Sequence, residues 1–411
     1  MLFDAQSTKN MDWVGHYMLQ LAESSKATGR VVWPDELGFP AGDFLAHIRF
    51  VQANLARRSL QGALIFDPEN MYWLTGFQTI GYFTFQGMYI PAEGLPTVIT
   101  RVVNRDMAMA LPTIGDVVAV KDTEDHCTQL IGFLKGLGSA KIGLDTLSRH
   151  LNVSDYRRLI DAGIQFDDWD GVIQSQRIIK TPAQIEKMRH AARALESGMD
   201  SALKTIAPGR TDNDLAAALY HGSIAAGSEY IGHPPMVVTG PRSELCFALW
   251  KRKTIKHGDV VLLEGGACVD RYHVMMARSA VVGKPSDEHK ATADALIGIL
   301  ETAIEVIKPG ETAGEIDRRC RESIKKLDLD KFYKSRLAYG IGIAFPPNWA
   351  EGHIYSIRPD DPLIIEENMT FHVIPTMFRE GFGMAISDSV RVTSTGCEVL
   401  TQYPRDLVIV D

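Results

Sequence analysis

The chain has 411 residues, a formal net charge of -8 and 23% charged residues, so two domains are expected and the acidic balance opposes nucleic-acid binding. No apolar run reaches the length of a membrane span, and the opening MLFDAQSTKNMDW lacks the basic and apolar regions of a secretory signal. The 5 cysteines are scattered without a CxxC pair, which predicts reduced thiols in a cytoplasm rather than a disulfide framework or a zinc site.

Residues 1–40 read as a polar arm with a helix near 11–24, positioned to pack on another surface such as a partner subunit. From Ala41 the pattern turns α/β. A helix near 42–57 leads to Ala63-Leu64-Ile65-Phe66, a run suited to a buried parallel strand. Asp67-Pro68-Glu69-Asn70 reads as a turn, and the aromatic stretch Tyr82-Phe83-Thr84-Phe85 follows. Segments 87–90 and 96–99 read as hairpin strands, and alternating strands and helices then close a first domain at 41–171. Residues 172–181 read as a linker, and 182–411 as the second domain.

Thr181-Pro182 with Gln184 predicts a capped helix start, and Ile185, Met188, Ala192, Leu195, Met199 and Leu203 continue it with helical periodicity. An internal repeat follows. Ile206-Ala-Pro-Gly-Arg-Thr-Asp-Asn-Asp-Leu215 recurs as Ile307-Lys-Pro-Gly-Glu-Thr-Ala-Gly-Glu-Ile316, each copy after a long amphipathic helix. The Pro-Gly ends one helix, and Thr211 with Asp214 or Thr312 with Glu315 opens the next through a capping box. The second domain is therefore expected to be two helix–helix–sheet halves related by a pseudo-two-fold axis, with a cleft between them.

Within it, 258–282 (GDVVLLEGGACVDRYHVMMARSAVV) reads as a buried hairpin. Val260, Leu262 and Glu264 share one strand face, and a carboxylate continuing an apolar face is costly unless paired or used. Gly265-Gly266 suggests a bulge or a close backbone approach. The return strand carries Tyr272, His273 and Arg278.

Several motifs in order resemble the superfamily of creatinase, aminopeptidase P, prolidase and methionine aminopeptidase. They are Asp67-Pro68-Glu69-Asn70-Met71-Tyr72-Trp73-Leu74-Thr75-Gly76, Ile179-Lys180-Thr181-Pro182, the repeat, Thr239-Gly240-Pro241, Gly258-Asp259-Val260 and Tyr339-Gly340-Ile341-Gly342. The resemblance implies an α/β (α+β) protein, with a creatinase/prolidase-like α/β N-domain and a C-terminal pseudo-two-fold pita-bread domain. Metal-bound members hold two ions with two Asp, one His and two Glu. Carried over by motif, these positions fall on Glu264, Met275, Tyr339, Ile374 and Ser387, and a usual substrate-side His falls on Phe247. Met and Ile cannot ligate a hard divalent cation, so no metal and no cofactor are expected.

Tyr339-Gly-Ile-Gly-Ile-Ala-Phe-Pro-Pro-Asn-Trp-Ala-Glu351, Met369-Thr-Phe-His-Val-Ile-Pro375 and Arg271-Tyr272-His273 resemble the metal-free ectoine hydrolases, which open the cyclic amidine of ectoine. Phe247, Met275-Met276 and Gly352-His353 depart from the pattern. The implied activity is hydrolysis of a C–N bond in a small zwitterionic solute. Creatinase-type amidinohydrolysis, a lyase and a metal-free solute-binding protein stay open. Glu264 is the candidate nucleophile or general base, with His372 and His273 as candidate proton donors or acceptors. Tyr272, Arg278, Tyr339, Trp349, Glu351 and Asp388 are candidate substrate contacts, and Arg278 can pair with Glu264, Asp388 or substrate. Creatinase-like relatives form dimers that share sites, which implies a homodimer in which the run Tyr82–Phe85, with Phe83 as the candidate contact, either reaches a partner's cleft or packs in the core or interface.

Overall fold

The computed structural model describes residues 32–138 and 141–411. The helix expected near 11–24 lies outside the described residues. The described residues divide into two compact units, with the boundary between Gln174 and Ser175. A helix at Val172–Arg177 crosses that division, so the stretch read as a linker is partly helical.

The first unit is built on one six-stranded mixed sheet. Its strands are β1 (Gly62–Ile65), β2 (Gln86–Pro91), β3 (Thr97–Arg101), β4 (Asp116–Val120), β5 (Ile142–Leu144) and β6 (Phe166–Asp168), in the order β4-β3-β2-β1-β5-β6. The expected parallel strand around Leu64 is parallel to β5 but antiparallel to β2. The expected turn at Asp67-Pro68 instead starts a helix, Pro68–Thr75. Pro at the first helical position has no N–H to lose there, and Gly76 ends the helix at φ 74°.

In the second unit β7 (Met236–Thr239), β8 (Val260–Val269) and β9 (Tyr272–Val282) form an antiparallel group. A second sheet contains β10 (Ala338–Gly340), β11 (Ser356–Ile357) and β12 (Thr370–Val373), and beyond the two-stranded ribbon of β13 (Thr376–Arg379) and β14 (Phe382–Ala385) it adds β15 (Asp388–Val392) and β16 (Cys397–Val399). The last strand, β17 (Val408–Val410), returns to pair parallel with β9. An isolated bridge between Ala277 and Ser387 ties the two sheets together.

The repeat is visible as matched helix pairs, Pro182–Thr205 with Asp212–Ala225 and Asp287–Val306 with Ala313–Lys326. Gly209 and Gly310 sit at φ 86° and 88°, the left-handed region that a Pro-Gly helix stop needs. Isolated bridges from Thr211 to Thr254 and from Thr312 to Ile364 repeat too. Thr181 and Thr211 form complete capping boxes. At Thr312 only the Glu315 N–H to Thr312 Oγ1 half forms, because the Glu315 carboxylate is taken by Arg318 and Arg319. The core of the second half includes Leu296, Ile299, Leu300, Ile316, Phe371, Val373 and Val390.

Candidate active site

The β8–β9 hairpin pairs without a bulge, from Val260 opposite Val281 to Val269 opposite Tyr272. Asp270 and Arg271 turn it with φ 48° and 63°, as a two-residue primed turn requires. The two glycines mark close approaches instead. A Cβ on Gly265 would sit 3.0 Å from Leu219, and one on Gly266 would sit 3.2 Å from the Trp349 ring.

Directly opposed residues share a sheet face. Glu264 opposes Ala277, so Leu262, Glu264, Gly266, Met275, Ala277 and Ser279 lie on one face. Tyr272 and Arg278 lie on the other, and neither is placed beside Glu264 by the hairpin. Glu264 is only 5% exposed. Among the described residues its carboxyl makes no hydrogen bond or ion pair, and burial pushes its pKa up to about 8.

Two more strands, the residue before β15 and a loop complete the site. Tyr339 on β10 and His372 on β12 are cross-strand partners. His372 Nδ1 lies 2.7 Å from the Tyr339 hydroxyl, and its Nε2 lies 2.7 Å from Ser387 Oγ. Ser387 Oγ in turn accepts the Ala277 N–H at 2.7 Å. Burial, then the Arg278 charge, lowers the His372 pKa to about 3, so the ring is neutral between two hydroxyls. The Tyr339 hydroxyl is raised well above 10, first by burial and then by the Glu264 charge, against a hydrogen bond from the Trp349 side chain. Tyr339, His372, Ser387 and Trp349 therefore form one hydrogen-bonded group, and Glu264 lies near enough for its charge to act on the Tyr339 hydroxyl.

Ala248 packs on Val238, Leu262, Ala277 and Ala385, which brings the segment around Cys246 and Phe247 over the Glu264 face. Cys246 is close enough for Glu264 to raise its thiol pKa, after the larger effect of burial. Phe247 is 72% exposed at φ 62°, a conformation that a bulky side chain rarely adopts.

The remaining candidates are committed elsewhere. The His273 ring accepts the Gly232 N–H at Nε2, 3.0 Å away, and donates from Nδ1 to the Arg271 carbonyl at 2.9 Å. Both nitrogens are used, and β9 carries this residue about 13 Å along the strand from Ala277. His273 is thus a loop anchor, not a proton carrier beside Glu264. Arg278 is corrected likewise. It pairs with Asp388 at 3.0 Å and donates to the carbonyls of Ala277, Ser387, Tyr403 and Pro404. Asp388 also takes Arg405 Nε at 2.7 Å and the Thr401 hydroxyl, so it has no role at substrate. Glu351 is fully buried between Arg177 at 2.7 Å and Lys180 at 2.6 Å and is a structural ion, not a substrate contact. Tyr272 is buried on the far hairpin face, where burial and then the Glu351 charge raise its hydroxyl pKa well above 10. Phe83 belongs to the first unit and is 75% exposed, while its neighbours Tyr82 and Phe85 are buried.

The donor set does not fit a dinuclear metal centre. Of the five positions carried over, Glu264 alone is a carboxylate, Met275 and Ile374 offer no hard ligand, and the His372 nitrogens are both engaged. Among the described residues, the group of side chains close enough to share an ion is Asp67, Glu69 and His150 in the first unit. Sequence reasoning missed three features. These are the bond that Ser387 makes with His372, the loop at 245–249, and Arg336 beside Tyr339. The alignment of Ser387 with a lost ligand was the available signal for the first.

The second unit has the pita-bread fold of the prolidases, whatever its site holds. The model of metallopeptidase family M24 matches residues 186–394, and that of the creatinase/prolidase N-terminal domain matches residues 48–179. The chain belongs to family M24. An ectoine hydrolase from Halomonas elongata is 27% identical over 395 residues, covering 91% of this chain and 98% of that protein. A Xaa-Pro dipeptidase from Pyrococcus furiosus is 25% identical over 367 residues, covering 88% and 98%. Among solved structures, an X-Pro aminopeptidase from Thermotoga maritima matches with a TM-score of 0.79 at 26% identity, over 89% of this chain and 99% of that one. Prolidase from Thermococcus sibiricus matches with a TM-score of 0.80 at 24% identity over 90% and 99%, a likeness of fold.

Proposed function

We propose that this protein is a metal-independent hydrolase that opens the cyclic amidine of a small zwitterionic solute, ectoine, to give N-acetylated 2,4-diaminobutyrate. The observation that carries the reading is Glu264: a buried carboxyl with no hydrogen-bond or ion-pair partner among the described residues, at a position where the resemblance implies a metal ligand, and near enough to Tyr339 to act on the hydroxyl of a Tyr339–His372–Ser387 hydrogen-bonded chain. The similarity to an ectoine hydrolase along nearly the whole chain supports the choice of substrate.

Glu264, once ionised, attacks the amidine carbon or draws a proton from a water that does so. One ring C–N bond breaks, one water is consumed, and the departing nitrogen gains a proton. The neutral His372 serves this transfer through hydroxyls. In the tautomer that carries its proton on Nδ1, Nε2 accepts a hydrogen bond from the Ser387 hydroxyl, Nδ1–H donates to the Tyr339 oxygen, and the Tyr339 O–H is left to face substrate.

The test is incubation with ectoine and with creatine, with and without chelator, followed by product mass analysis. The expected product is ectoine plus one water, formed equally in chelator. Urea from creatine would make the protein an amidinohydrolase instead. Loss of turnover in chelator would overturn metal independence, and tight solute binding without any product would make it a binding protein.

A further inference from the structure

Arg336 stands three residues before Tyr339, at the entry to β10. Its guanidinium carbon lies 5.0 Å from the centre of the Tyr339 ring. Nη1 donates to the Gly352 carbonyl and to Ser356 Oγ, each at 3.1 Å. Among the described residues Nε and Nη2 have no acceptor, and no carboxylate lies within ion-pair reach. This differs from the other arginines of the second unit that flank the site: Arg177 holds Glu351 and Arg278 holds Asp388.

The unused Nε–Nη2 edge is the fork that grips a carboxylate side-on. The same chain uses that edge at Arg101, where Nε and Nη2 hold the two oxygens of Asp122 at 2.9 and 2.8 Å. The surroundings preserve the fork. A Cβ on Gly352 would lie 2.8 Å from Nη2 and 2.9 Å from Tyr339 Cβ, so only glycine lets the chain pass there. Partial burial of the guanidinium against Tyr339, with the Arg358 charge nearby, lowers the Arg336 pKa, although part of the side chain stays in solvent.

We propose that Arg336 is the anchor for a substrate carboxylate, holding a small zwitterion by its anionic end while its amidine reaches Glu264. Tyr339 sets the spacing: Arg336 lies over its ring, and the group formed by His372 and Glu264 lies at its hydroxyl end. The side chain is open to solvent, so a solute can reach it. The choice of ectoine rests on the hydrolase reading above, whereas the carboxylate specificity rests on Arg336 alone.

The test compares the full chain with R336Q and R336K by calorimetric titration with ectoine and with its carboxamide, and by NMR titration with acetate. R336Q is expected to weaken ectoine binding roughly ten- to a hundredfold, the worth of a charge-assisted hydrogen-bonded pair. It should raise KM with kcat nearly kept and leave carboxamide binding unchanged, with R336K recovering part of the loss. Equal ectoine binding by wild type and R336Q, or equal binding of carboxylate and carboxamide by wild type, overturns the proposal. If ectoine is not turned over but acetate binding still depends on Arg336, the hydrolase reading falls and the anchor stands. If wild type shows no Arg336-dependent binding of either carboxylate, the anchor falls. Unchanged melting temperatures of the variants keep the comparison valid.

Discussion

Glu264 is a carboxyl group that folding keeps neutral. Burial raises its pKa from 4.5 to about 8, because among the described residues no donor or cation replaces the water it loses. A carboxylate that must be ionised to act then makes kcat/KM rise tenfold per pH unit below about 8 and level off above it. A flat profile between pH 6 and 8 would show that Glu264 ionisation does not limit the reaction. The linkage to stability has a definite sign. A folded pKa raised above the unfolded one contributes stability that is complete below pH 4.5 and is lost as pH rises to about 8. Relative to Glu264→Gln, the wild type should therefore lose up to about 5 kcal/mol between those limits, measured by urea unfolding at several pH values. Strand alternation alone placed Glu264 and His372 on faces that could meet. It could not show that His273, equally polar and only nine residues from Glu264, spends both ring nitrogens on backbone groups.

At the scale of elements, the hairpin separates chemistry from support by the pleat. Glu264 faces the site, while Arg278 on the opposite face supports the sheet from below through Asp388 and four carbonyls. Pairing the two was a natural expectation from sequence, because their separation places them nearly opposite each other. The one-residue offset in register sends the side chains apart, and only the observed pairing of Leu263 with Arg278 reveals it. The loop after β10 has the same division. Trp349 reaches Tyr339 and Gly266, whereas Glu351, two residues on, neutralises Arg177 and Lys180 in a fully buried triad. Removing the acid of a buried ion group leaves its cations uncompensated. Glu351→Ala is therefore expected to cost about 3–5 kcal/mol in denaturant unfolding. Its KM should stay near the wild-type value at temperatures where it is folded. A loss of turnover without a loss of stability would return Glu351 to the active site. Helix starts were the most legible elements, since a Thr followed three residues later by Gln or Asp is a local signal. Thr312 shows the limit of that signal, because two arginines one helical turn away outbid its backbone for Glu315.

At the scale of the molecule, duplication explains why the site sits where it does. Two helix–helix–sheet halves meet at the bridge between Ala277 and Ser387, and the residues of the candidate site come from strands on both sides of it. The repeat and the order of motifs made this architecture readable from sequence. The partner of each side chain was not, because hydrogen bonds such as Ser387 to His372 depend on register between distant strands. The expected homodimer belongs to this scale as well. Phe83 presents 75% of its surface and Ile80 62%, side by side on one short turn, an apolar exposure that suits a partner subunit. If Phe83 completes the site of a partner, the sites form in trans, and a two-fold dimer makes the consequence countable. Phe83→Ala and Glu264→Ala should each be nearly inactive alone. In a heterodimer of the two, one site pairs the intact Glu264 of the first chain with the intact Phe83 of the second, and the other site has neither. Co-refolding equal amounts should thus restore about a quarter of wild-type activity, since half of the dimers are mixed and each has one whole site. Activity that stays at the level of the separate variants would place Phe83 outside the partner's site.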